Sequence, residues 1–138
     1  MRIPLIVLVL VLSGFSVYSQ GYAVVGNDIG TSVLSRADLK AAFKPKNTFW
    51  PNRRTVIIIL PGNTSSIRDV VAKDIYNSTF VAMQKYWLSL VFQGRFSAPV
   101  ILNSDEEVIN FVRKTPGAIG LVSDPETVPP SLLIRINP

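Results

Sequence analysis

The chain has 138 residues, a formal net charge of +5, no cysteine and no histidine. That length suits one ordinary domain able to bury a core without covalent staples. The two missing residue types exclude disulfides, a lipid-modified cysteine, histidine-based triads or general bases, and histidine-ligated metals.

Arg2 adds a positive charge beside the α-amine, and an apolar run over residues 3–12, interrupted by Pro4, follows it. Ser13 and Gly14 loosen the chain, and the small residues Val17 and Ser19 precede Gln20 as in a peptidase site. The run is shorter than the roughly 20 apolar residues that span a bilayer. Residues 1–19 are therefore expected to be a secretory signal cleaved before Gln20. Residues 20–138 are expected to be one domain, periplasmic or secreted, with no stable membrane insertion.

Residues 22–25 read as a short buried strand, and Gly26-Asn27-Asp28 as a turn. Ser35 and Asp38 fit a capping box, and Leu39, Ala42 and Phe43 follow at helical spacing up to Lys44, before Pro45. Residues 56–60, Val-Ile-Ile-Ile-Leu, are apolar on both faces, which predicts a central strand of a covered sheet. The small polar loop Pro61 to Ser66 leads to a helix with Ile67, Val70, Val71 and Ile75 on one side. Asn77 and Ser78 break the chain before a second stripe of Phe80, Met83, Trp87, Leu90 and Val91, and Gly94 ends it. Trp87 and Phe92 are both expected in the core. Residues 100–102 form a strand, and Ser104 with Glu107 a second capping box. Val108, Ile109 and Val112 then line a helix that Pro116-Gly117 stops. Residues 118–122 and 132–136 complete the strands. Strands alternating with helices give an α/β class with a mostly parallel sheet flanked by helices.

Arg36, Lys40, Lys44, Lys46, Arg53 and Arg54 share a stretch whose one acid is Asp38. It reads either as a solvated basic face or as an attractor of anions, small solutes and lipid head groups among them. Export argues against nucleic acid. The passage into the helix after residue 60 carries the clearest local chemistry. Helix starts present unpaired N–H groups and partial positive charge, and hydroxyl residues add donors. Asn63, Thr64, Ser65 and Ser66 are thus candidate anion-binding residues. The plain alternative is a helix cap, with Ser66 and Asp69 as its box. Asp105-Glu106-Glu107 reads as an acidic first turn, not a catalytic pair.

Three segments, in order and spacing, resemble the periplasmic phosphate-binding proteins of ABC transporters, within the type II periplasmic-binding-protein superfamily. Residues 34–43 resemble an "L-S-x-x-x-L-x-x-I-F" segment, and Trp50-Pro51-Asn52 its "W-x-D/N-G" turn. Residues 104–122, with Thr115-Pro116-Gly117-Ala118-Ile119-Gly120-Leu121-Val122, resemble its "P-G-A-I-G-Y-V" stretch. The resemblance implies one lobe of such a protein. Its phosphate loop "R-x-x-G-S-G-T" falls on Leu60 to Ser66, with Thr64 and Ser66 at the two hydroxyl positions. Ser65 replaces a glycine, and Leu60 replaces the arginine, removing a charge and a donor fork. Arg53-Arg54, or Arg95, could supply that charge if folded toward Thr64.

The implied function is an exported solute-binding-like protein, holding phosphate or a similar oxyanion weakly because its site is half exposed to water. The alternative is an envelope interaction or sensor domain, with a partner protein covering the missing lobe. No cofactor, metal or enzymatic activity is expected.

Overall fold

The computed structural model describes residues 21–45 and 48–138. The expected secretory signal and Lys46 of the basic stretch lie outside them. In chain order the elements are β1 (Ala23–Gly26), β2 (Val33–Ser35), α1 (Arg36–Phe43), β3 (Ile57–Pro61), α2 (Arg68–Tyr76), α3 (Phe80–Phe92), β4 (Val100–Leu102), α4 (Asp105–Lys114), β5 (Ala118–Val122) and β6 (Leu133–Asn137). A short 3₁₀ turn, Pro125–Thr127, precedes β6.

The strands form one mixed sheet in the order β2-β6-β1-β5-β3-β4. Only β1 runs against its neighbours, pairing antiparallel with β5 and β6, while β2–β6, β5–β3 and β3–β4 are parallel. The mostly parallel α/β class therefore stands. β3 is not central but second from one edge. It is nevertheless paired on both sides and covered on both faces, as its two-sided apolar run implies, with Ile58 and Leu60 in one core and Ile59 in the other. β2 carried no sequence signal. It has three residues and exists through parallel pairing with β6, Leu34 opposite Ile136.

One core lies between the sheet and α1, α2 and α3, built on Tyr22, Val24, Leu39, Phe43, Val71, Ile75, Met83 and Trp87. The other packs Val108, Ile109 and Val112 of α4 on Ala23, Val25, Ile59 and Val122. Gly120 permits this approach, because a Cβ there would lie 2.8 Å from a Val108 methyl. Tyr76 joins three helices. Its hydroxyl donates to the Phe43 carbonyl at 2.6 Å and accepts from Trp87 Nε1 at 2.8 Å. Burial raises that phenol above the ordinary tyrosine range.

Ser35 caps α1, its side chain accepting from the Asp38 amide at 3.0 Å. Asn77, in the left-handed conformation at φ 49, ends α2, and Thr79 caps α3. Trp87 is buried as expected, but Phe92 is 82% exposed. The core stripe of α3 runs through Phe80, Met83, Trp87 and Leu90. Two further residues turn an α-helix by about 200°, which points Phe92 away from it.

Candidate anion site at the end of β3

Gly62 continues the β3 ladder, its amide donating to the Leu102 carbonyl at 2.9 Å. The chain then turns tightly, with the Ser65 amide on the Gly62 carbonyl at 3.1 Å. Asn63, Thr64 and Ser66 are exposed and Ser65 is half-buried. The four candidate residues thus stand together at the carboxyl end of β3, at the entrance to α2.

The expected Ser66–Asp69 cap does not form. The N-cap of α2 is Ile67, and no side chain accepts a hydrogen bond there. Ile67 is 6% exposed and belongs to the core, so packing fixes the residue at that position. Ser65 Oγ accepts instead from the Ile67 amide, at 3.4 Å. The start of α2 thus has no side-chain cap at its N-cap, while the Ser65 carbonyl accepts from the Arg68 amide at 3.5 Å and the Asp69 carboxylate stands in the first turn.

Two residues that the sequence did not single out shape the loop. Arg68 Nη1 donates to the Asn63 carbonyl at 3.0 Å and to its side-chain oxygen at 2.7 Å. The same guanidinium lies 4.7 Å from the Phe80 ring centroid and within 3.5 Å of Asp69. Asn103, at the end of β4, accepts from the Thr64 amide through Oδ1 at 3.0 Å. A Cβ on Gly62 would meet that oxygen at 2.3 Å, so glycine is what lets Asn103 reach the loop. A carbonyl-type oxygen therefore already occupies the Thr64 amide, as the Leu102 carbonyl occupies that of Gly62.

Arg53 and Arg54 are not brought to Thr64. They precede β3 and the loop follows it, which separates them by about 20 Å of extended chain. Arg54 pairs with Asp28 at 2.7 Å. The turn holding them is sewn to β5 by Trp50 Nε1, which donates to the Gly117 carbonyl at 2.8 Å. Arg53 takes φ 69 where the resembled turn has glycine. Arg95 lines a different hollow of about 1140 Å³, with Lys44, Phe49, Trp50, Tyr86 and Phe96, and none of residues 63–66 borders it. That hollow is open and carries two cations, Lys44 and Arg95, apart from the loop. Leu60 is 2% exposed, and no cation reaches the loop from that position.

Neighbouring loops on the same sheet edge are differently equipped. Glu107 accepts from the Asn103 and Ser104 amides at 3.0 and 3.1 Å. These backbone donors hold its carboxyl below the usual glutamate range. Asp105 accepts from the Ser123 amide at 2.7 Å and the Asp124 amide at 3.0 Å. Among the described residues no group of three histidine, cysteine, aspartate or glutamate side chains could hold a metal. No described helix is long and apolar enough to cross a membrane.

No protein-family model and no curated protein matches the chain. Solved structures do. An ABC-type phosphate transport receptor from Vibrio cholerae aligns at 16% identity with a TM-score of 0.59, over 84% of this chain and 46% of the receptor. A putative phosphate ABC transporter substrate-binding protein with bound phosphate, from Clostridium perfringens, gives 16% identity and 0.57, over 84% and 44%. A possible phosphate binding protein from Planctomyces limnophilus gives 18% and 0.55, over 85% and 41%. The chain spans less than half the length of these proteins, as a single lobe would. The chain has the fold of one part of a phosphate ABC transporter substrate-binding protein.

Proposed function

We propose that this chain is an exported solute-binding-like protein that holds phosphate or a similar oxyanion weakly at Asn63, Thr64, Ser65 and Ser66. The observation that carries the proposal is the helix start of α2. It follows a strand of a phosphate-receptor fold, offers hydroxyls and amides, and lacks a side-chain cap. Ligands of open α/β sheets sit outside the carboxyl ends of strands, which favours the same place. Binding is weak because water faces one side of the ion and screens every charge contact. The role is binding rather than catalysis, and the compartment is periplasmic or secreted.

Calorimetry and thermal melts with phosphate and sulfate test this, since a ligand that binds the native state must stabilise it. Melting temperature should rise at millimolar anion, and a Thr64→Ala/Ser66→Ala double variant should lose most of the rise. No heat and no shift at millimolar anion would overturn the proposal.

A second reading is a non-transporting interaction or sensor domain of the envelope, with a protein partner over the missing lobe. Buried Leu60 and the Asn103 oxygen on the Thr64 amide favour it. A specific protein partner recovered without any anion affinity would select this reading.

A further inference from the structure

The outer side of α3 is apolar and uncovered. Val81 is 57% exposed, Leu88 56% and Phe92 82%. At about 100° per residue these positions fall within some 40° of one another, on the side away from Met83 and Trp87. Lys85 lies in the same stripe, four residues after Val81 and three before Leu88. From Ile75 to Ser104 the sequence contains no aspartate or glutamate, while it contains Lys85 and Arg95. Arg95 lies at the hollow with Tyr86 and Leu90, so the stripe itself is an apolar ridge carrying Lys85, with no acid in its own stretch of sequence.

We infer that this ridge rests on an anionic lipid surface. A second copy of the chain fits poorly. In a two-fold interface the same patch meets itself, so Lys85 would meet its own copy with no acid from this stretch to pair with. A protein groove could receive a ridge, but a bilayer interface satisfies both of its properties at once. Leu88, Val81 and Phe92 enter the headgroup–acyl boundary, and the Lys85 ammonium stays among lipid phosphates at the end of its apolar stem. Attachment is peripheral and reversible, and it does not depend on the anion loop.

The chain has no cysteine, so single thiols can report on the ridge. Leu88→Cys in the full chain would carry a nitrobenzoxadiazole label, with Lys73→Cys on exposed α2 as the reference. Vesicles of phosphatidylcholine alone are compared with an equimolar mixture of phosphatidylcholine and phosphatidylglycerol. The Leu88 label should brighten and shift to the blue with the mixed vesicles only, and less at high salt. Lys85→Gln should weaken the partition about fivefold. The label on Lys73→Cys should stay in water, which separates the ridge from attachment through residues 3–12. The inference falls if the Leu88 label stays in water, if both labels respond alike, or if neutral vesicles act as well as anionic ones. It falls equally if light scattering shows a dimer that Phe92→Ser dissolves. Matching thermal melts confirm that these exposed substitutions keep the fold.

Discussion

Two helix starts that look alike in the sequence behave in opposite ways. Ser104-x-x-Glu107 forms a complete capping box before α4, with the Glu107 amide on Ser104 Oγ at 3.2 Å and the Glu107 carboxylate on the Ser104 amide at 3.1 Å. Ser66-x-x-Asp69 forms none before α2. The difference lies one residue further on. Ile67 is pulled into the core and becomes the N-cap, leaving Ser66 outside the helix. Packing of a buried isoleucine outweighs a cap of about 1 kcal/mol. The open helix start follows from that choice, and with it the candidate anion site.

The largest expected effect comes from forcing a cap onto α2. Ile67→Ser would supply a hydroxyl at the N-cap but empty part of the core, for a net loss of about 2 kcal/mol or more in urea denaturation. A neutral result would mean that core packing does not set this helix start. Next, Ser104→Ala should cost about 1 kcal/mol by the same measurement. Glu107→Gln should act through pH. The carboxyl has a lower pKa in the folded chain than in the unfolded one. Its contribution is therefore present above about pH 4.5 and fades as pH falls through the lowered value. The melting temperature of the variant should thus depend less on pH in that acid range. Smallest of all, Ser66→Ala should change stability by less than about 0.5 kcal/mol, since its hydroxyl caps nothing. A loss as large as that of Ser104→Ala would make the two starts equivalent after all.

Most of the fold could be read locally. The caps at Ser35 and Ser104, the break at Asn77 and the apolar strands all depend on near neighbours in sequence, and they appear where expected. What escaped was set at a distance. β2 depends on pairing with β6, the position of β3 depends on strand order, and Asn103 reaches Thr64 only because β3 and β4 lie side by side. Phe92 shows a different failure. An aromatic beside a core stripe reads as part of it, although a step of two residues crosses the helix. In the site, the four loop residues were legible because small polar residues after an apolar strand mark a helix start. Arg68 was not, because nothing in its spacing says that its side chain turns back to Asn63.

The single reversed strand bears on how the molecule assembles. β1 sits between β5 and β6, with Val24 opposite Leu121 on one side and Ile134 on the other. The first strand synthesised must wait for the last two, about 100 residues later, before its hydrogen bonds can close. Contacts so distant along the chain slow folding, because loop-closure entropy is lost before any pairing compensates it. A nascent chain lacking β6 should therefore remain open to proteolysis on the ribosome, and protection should arrive abruptly once the final strand emerges.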